Sequence, residues 1–196
     1  GFVVGLDYRN PFLSPFEEMQ RFKTHPAIRD MFAGGRRVAY GARALSEGGW
    51  QSLPKLTFPG GCLVGDAAGF LNVPKIKGTH AAMKSGMLAA EAVAEALAGD
   101  RAPEPASYEA RFRASWLSAE LHGVRNIRPG FAKFGLYGGL LNAALDTYVL
   151  RGRAPWTLAH PHADHESLKD AAAARPIAYP KADGVLTFDR LGSVFI

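Results

Sequence analysis

The sequence predicts a mixed fold, α+β or α/β. Short apolar runs bounded by Gly and Pro read as strands, and they alternate with longer stretches of helix-forming residues. Composition agrees: 47% of the 196 residues are apolar, enough for a packed core and too many for a disordered chain.

The elements follow in order. Residues 2–8 read as a strand, broken at Asn10-Pro11. Ser14-Pro15-Phe16-Glu17 opens a helix, with Ser14 as N-cap, Pro15 in the first turn and Glu17 reaching back as a capping box. Phe16, Met19 and Phe22 give that helix its apolar side. A second short helix starts at Thr24-His25-Pro26, turns Ile28, Met31 and Phe32 inward, and ends at Gly34-Gly35. Residues 36–45 read as a strand and Gly48-Gly49 as a turn. Phe58-Pro59-Gly60-Gly61 is a tight turn into a short buried strand, Cys62-Leu63-Val64-Gly65.

The clearest helix spans Thr79 to Leu97, rich in Ala, Met, Leu, Glu and Lys. Ala82, Gly86, Ala90 and Ala94 form a ridge of small side chains on it, suited to close backbone packing. A linker at 101–105 precedes helices at 107–122, with Tyr108, Phe112, Trp116 and Ala119 on one side, and at 131–150. Residues 154–184 are loop-rich with one short helix near 166–173, and Asp183-Gly184 turns into a last strand at 185–188.

Composition also excludes functions. Charge is mixed, 23 Lys+Arg against 18 Asp+Glu for a net +5, which gives no argument for nucleic acid. One cysteine, Cys62, excludes a disulfide framework and a cysteine-ligated iron–sulfur site within this chain; it reads as an inert core thiol. His160, His162, His165 and Asp164 lack the support a metal site needs, so no metal is expected. No apolar run reaches the length of a membrane-spanning helix. The chain starts at Gly1 on an apolar run and finishes on Val194-Phe195-Ile196, so it reads as a piece of a longer protein.

The chemistry concentrates at Gly65-Asp66 and Gly78-Thr79. A buried strand ending in Gly-Asp lets backbone approach a ligand and offers a carboxylate to ribose or ribityl hydroxyls. A helix opening at Gly78-Thr79 points free N–H groups at a phosphate or at the electron-rich edge of a flavin. From spacing alone an ordinary strand-to-turn signal, with Asp66 as a cap, stands equally. His80 reads as a structural hydrogen-bonding residue, and Lys75 and Lys77 as either a solvated loop or contacts to phosphates or partner acids.

Residues 131–150 form the second candidate. Phe131, Phe134, Tyr137 and Leu141 belong to an apolar surface that covers most of the helix, while Gly135, Gly139, Asn142, Asp146 and Arg153 share the remaining face. Lys133 and Asp146 argue against spanning a bilayer. Arg125, Arg128, Arg151 and Arg153 flank the segment. Such a helix suits either a core or the surface of one membrane leaflet.

The stretch from Gly65-Asp66-Ala67-Ala68-Gly69 through Asn72-Val73-Pro74-Lys75-Ile76-Lys77-Gly78-Thr79-His80 to Ser85-Gly86 closely resembles the electron transfer flavoprotein–ubiquinone oxidoreductase family. Gly5-Leu6-Asp7-Tyr8-Arg9-Asn10-Pro11, Tyr40-Gly41-Ala42-Arg43-Ala44, Glu47-Gly48-Gly49, Arg151-Gly152-Arg153-Ala154-Pro155-Trp156-Thr157-Leu158 and Tyr179-Pro180-Lys181-Ala182-Asp183-Gly184 resemble it too. The resemblance implies a monotopic membrane flavoenzyme with FAD and a [4Fe–4S] cluster. It would take electrons from electron transfer flavoprotein and deliver them to ubiquinone. It implies a partial glutathione-reductase-type FAD domain with an inserted quinone-binding region of sheet and helices. Residues 1–57 would be the later part of the quinone-binding domain, and 58–100 the closing strand and helix of the FAD domain. Residues 101–156 would be a membrane-facing helical region, and 157–196 the lead-in to a ferredoxin-like domain. Gly65, Asp66, Gly78 and Thr79 would bind FAD. The family's Gly-x-Gly-x-x-Gly fingerprint and cluster cysteines are absent from this chain. No catalytic side chain is expected, because electron transfer asks for cofactors at short range rather than acid–base groups. The implied location is the inner membrane, on the cytoplasmic face in bacteria or the matrix face in mitochondria. The alternatives are a cluster-free quinone- or geranylgeranyl-reductase-like flavoprotein and a non-catalytic membrane-surface module.

Overall fold

The computed structural model describes residues 1–99 and 104–194. Two compact units divide the chain: Ala44–Pro161, and Gly1–Arg43 together with His162–Ile196. Among the described residues the fold is α+β, helix-rich with one two-stranded sheet.

In the first unit, β1 (Thr57–Phe58) pairs antiparallel with β2 (Gly61–Cys62), Thr57 opposite Cys62. Pro59 and Gly60 make the turn between them, and Gly60 takes the left-handed φ of 84° that the third position of a type II turn requires. The tight turn thus forms as expected. The strand expected at 62–65 pairs only at its start: Leu63 N–H still reaches Leu56 O at 2.8 Å, but Gly65, at φ 57°, turns the chain out of the ladder.

Helix α2 (Thr79–Leu97) lies where its composition puts it. Its buried stripe is Ala81, Ser85, Leu88, Ala89 and Ala92, a helical repeat. The ridge of small residues is therefore a neighbouring stripe rather than the packed one: Ala90 and Ala94 are exposed, and only Ala82 meets a close backbone. Leu88, Ala89 and Ala92 pack with Leu56, Phe70, Tyr108, Phe112, Leu117 and Leu121 into the core, where the Phe70 and Phe112 rings stack at 4.7 Å. Burial pushes the Tyr108 hydroxyl up to about 12, with the Cys62 thiol nearby adding to the effect. The helix expected over 107–122 is two, α3 (Ser107–Ala114) and α4 (Trp116–Gly123). Ser115 separates them in an extended conformation, its hydroxyl bonding Phe112 O, the local competition that makes Ser a helix breaker. Of the linker at 101–105 only Glu104 and Pro105 fall among the described residues.

Helix α5 (Ile127–Ala144) holds the largest departure. One helix over 131–150 was the expectation; instead Gly135, at φ 68° and ψ −167°, folds the segment into a hairpin. A Cβ on Gly139 would lie 2.5 Å from the Phe131 ring, and one on Gly130 would collide with the Asn142 amide, so the two limbs touch through glycine. A π-turn, Leu145–Val149, follows.

The second unit is held mostly by polar side chains. Helix α1 (Pro15–Lys23) is N-capped as expected, Glu17 N–H donating to Ser14 Oγ at 3.3 Å. The reciprocal half of the capping box is missing: Ser14 N–H donates to the Tyr179 hydroxyl, which in turn donates to Glu18. The next helix shrinks to a 3-10 turn, Arg29–Met31, and Met31 and Phe32 are exposed rather than inward. Two more 3-10 turns, Asp164–Ser167 and Ala171–Ala173, stand for the short helix near 166–173. Residues 190–194 close in α6 (Arg190–Val194). The strands expected at 2–8, 36–45 and 185–188 do not form. The first two are chain with no ladder partner among the described residues. In the third, the N–H groups of Val185, Leu186 and Thr187 all donate to Asp183 Oδ1, so a side chain takes the bonds a ladder needs.

Candidate functional site

Beyond β2 the chain makes a 3-10 turn, Gly65–Ala68, closed by Gly69 at φ 79°. Gly65 N–H donates to the buried Ser85 hydroxyl of α2 at 2.9 Å, and a Cβ there would meet the Ala82 Cβ at 3.1 Å. Glycine thus lets the turn rest on the helix, and the contact fixes Asp66 against the start of α2. The Asp66 carboxylate is exposed, and Oδ1 lies 2.7 Å from where a Gly78 Cβ would stand, with Leu71 Cδ1 at 3.1 Å. A side chain at position 78 would displace it.

Gly78 is the N-cap of α2 and supplies no side-chain cap. The N–H groups of Thr79, His80 and Ala81 keep the partial positive charge of a helix start. Thr79 is exposed beside them. The structure therefore brings Asp66, Gly78 and Thr79 into one patch, with Gly65 beneath. A carboxylate that accepts from hydroxyls next to donors that favour an electron-rich group suits a ligand carrying both.

The loop entering α2 is closed by a bridge between Asn72 and Lys77, with N–H to O distances of 3.1 and 3.4 Å. Glu120 of α4 holds it: Oε1 accepts from Asn72 Nδ2 at 2.7 Å, Lys75 Nζ at 3.1 Å and His80 Nε2 at 3.0 Å. Partial burial pushes the Glu120 carboxyl up, but the bonds from His80, Asn72 and Lys75 outweigh it and leave it below its ordinary value. His80 makes the structural bond expected of it, and its ring stacks on Trp116. Lys75 is paired with Glu120 rather than free in a solvated loop. Nothing local in the sequence marks Glu120; only Trp116 and Glu120, four apart on α4, share the face that meets His80.

Of the second group of predicted residues, Phe131 is half-buried against Gly139, whereas Phe134, Tyr137 and Leu141 are 47%, 85% and 73% exposed. Of the residues expected to share one face, Gly139 and Asp146 are buried, Asn142 is half-buried, Arg153 is exposed and Gly135 is the corner of the hairpin. That corner separates Phe134 from Tyr137 and Leu141, so the three are not one stripe of one helix. Arg125 is not a free flanking charge. It is buried, and its guanidinium donates to His122 O, Gly152 O, Ala154 O, Trp156 O and Thr157 Oγ1, clamping the chain after the π-turn. Asp146 is 3% exposed, and neither carboxylate oxygen has a hydrogen-bond partner among the described residues.

His160 Nε2 lies 2.7 Å from Gly48 O. Among the described residues no group of three or more His, Cys, Asp or Glu is arranged to hold a metal, and no helix is long and apolar enough to cross a membrane.

A family described as ETF-QO, ubiquinone-binding, matches residues 1–45. Over 99% of its length the chain is 55% identical to the mitochondrial electron transfer flavoprotein–ubiquinone oxidoreductase of Rattus norvegicus and 54% to that of Homo sapiens. It is 50% identical to the probable mitochondrial enzyme of Saccharomyces cerevisiae, again over 99% of the chain. The chain spans about a third of each relative, 33%, 33% and 34%. The similarity to these oxidoreductases runs along nearly the whole chain.

Proposed function

We infer that the chain is the middle-to-late part of an electron transfer flavoprotein–ubiquinone oxidoreductase, an enzyme that passes electrons from reduced electron transfer flavoprotein to ubiquinone. The carrying observation is the collinear identity of half or more over 99% of the chain. The match of residues 1–45 to a ubiquinone-binding family supports a share in the quinone site. In this reading residues 1–57 are the later part of the quinone-binding domain. Residues 58–100 complete a glutathione-reductase-type FAD domain, 101–156 face the membrane, and 157–196 lead into a ferredoxin-like domain. The [4Fe–4S] ligands lie outside this chain.

The residues at the start of α2 fit FAD. Asp66 would accept from a ribityl or ribose hydroxyl, and the uncapped N–H groups and Thr79 would face the electron-rich pyrimidine edge. Bound there, FAD supplies the stepwise electron chemistry that no side chain here performs. The chain's own part is to hold that edge next to helix N–H donors, which favour added negative charge. Membrane contact would come from the exposed hairpin tip, on the inner membrane. The relatives are named as mitochondrial, which supports the mitochondrial alternative; the Ala- and Arg-rich composition supports a bacterial one, on the cytoplasmic face.

The full-length protein tests the reading. Its visible spectrum should show flavin bands over broad iron–sulfur absorption, and reduced electron transfer flavoprotein should drive ubiquinone reduction. Flavin without a cluster would move the protein to the cluster-free reductases, and a colourless protein would make it a surface module.

A further inference from the structure

Glu120 does more than neutralise a lysine. The start of α2 has no side-chain cap, and the loop before it carries a strained residue: Ile76 is β-branched, sits at φ 50° and is 65% exposed. Such a conformation persists only where its surroundings over-determine it. The Asn72–Lys77 bridge closes the loop around it, and one oxygen ties that loop to the helix. Glu120 Oε1 receives Asn72 from the loop's first residue, Lys75 from next to Ile76, and His80 from the first turn of the helix. The Asn72 side chain is fully buried and its Oδ1 also accepts Lys75 N–H, so the inner end of the loop has little freedom of its own. An ionised carboxylate only accepts, so His80 Nε2 must carry its proton toward Glu120. The His80 ring lies flat on Trp116, one turn before Glu120 on α4, at 5.9 Å and 10°.

We propose that Glu120 is the positioning residue of the cofactor site: it sets the loop of residues 72–77 and the first turn of α2 in one arrangement, and so aims Gly78 and Thr79. This rests on the reading that FAD lies against the start of α2. The tie is made from outside the patch, since Glu120 belongs to α4 and none of its bonds uses Asp66 or Thr79.

The test measures FAD affinity of the full-length protein, stripped of flavin and titrated with FAD alone, following flavin fluorescence and circular dichroism in the flavin bands. Glu120→Ala should weaken FAD by roughly tenfold and alter the dichroic signature. Glu120→Gln keeps an acceptor oxygen in place and should restore affinity to within about threefold. If Glu120→Ala fails to fold, the double variant Lys75→Ala, His80→Ala removes two donors from partly exposed positions and should weaken FAD in the same sense. Unchanged affinity in whichever of these folds overturns the proposal, as does equal weakening in the Gln and Ala variants at position 120. Asp66→Ala separates the two inferences. Weakened binding in Asp66→Ala but not in the Glu120 or donor variants defeats the positioning role alone. Unchanged binding in Asp66→Ala as well defeats the cofactor reading.

Discussion

Asp66 stands exposed beside Gly78, and on the FAD reading its carboxylate would accept from a ligand's hydroxyl. Covered by FAD, it would make a charge-assisted bond in a site closed to water. Asp66→Ala should cost about 1.5–3 kcal/mol of cofactor binding, and dialysis followed by flavin counting against protein measures it. Stoichiometric flavin after dialysis would return Asp66 to a turn residue. Asp146 poses the opposite problem, a carboxyl buried with no hydrogen bond. Burial raises it above its ordinary value, and the Arg125 charge offsets this only in part. A carboxyl raised on folding binds its proton more tightly in the folded state, so its contribution is intact below the ordinary carboxylate range and is lost as pH rises through the raised value. Asp146→Asn should therefore match the parent below about pH 3 and exceed it at neutral pH. Urea midpoints at the two pH values check this, and a variant less stable at neutral pH would mean that Arg125 needs the charge. That Gly65, Asp66, Gly78 and Thr79 come together in one patch was legible because the signal is local, a glycine turn and a helix start. Glu120 and Arg125 were not, because each acts on segments from about 25 to 50 residues away in the chain, and no spacing encodes that.

Helices α1 and α2 were legible as elements, whereas the strands at 2–8 and 36–45 were not. The 3.6-residue repeat and good helix formers of α2 make its bonds within itself, so sequence suffices. Residues 2–8 and 36–45 have the composition of strands, but a strand exists only against a partner, and composition does not supply one. Nothing local in the sequence marks the hairpin of α5, because Gly135 and Gly139 both fall on one face of a single expected helix. Their roles differ: Gly135 makes the corner, and Gly139 lets the limbs touch. A Cβ at 139 would lie 2.9 Å from the Phe131 Cα, a backbone atom that cannot rotate away. Gly139→Ala should force the limbs apart and cost about 1–3 kcal/mol, read as a lower urea midpoint. An unchanged midpoint would mean that the limbs do not pack this closely.

At the scale of the whole molecule, the question is what the hairpin tip faces. Phe134, Leu136, Tyr137, Leu140 and Leu141 are 47%, 62%, 85%, 53% and 73% exposed, a density of large apolar side chains that water does not favour. Lys133 sits among them, its ammonium 5.6 Å from the Phe134 ring, and Arg151 and Arg153 are exposed beyond the π-turn. Apolar side chains with nearby cations suit a tip dipped into one anionic leaflet. Changing Phe134, Tyr137 and Leu141 together to Ser removes three of these side chains. At about 1 kcal/mol each when half-buried in lipid, membrane partitioning of the full-length protein should fall roughly a hundredfold. Because all three are exposed, the variant should fold and keep its flavin. Reduction of a membrane-embedded quinone should drop, while that of a short water-soluble quinone survives. Flotation with anionic liposomes, run beside a flavin spectrum, separates the possibilities. A variant that floats like its parent removes the tip from the membrane. An unfolded, flavin-free variant would mean that these side chains are covered by protein in the full-length enzyme, since burying three hydroxyls in place of rings and a leucine opens cavities and strands polar groups.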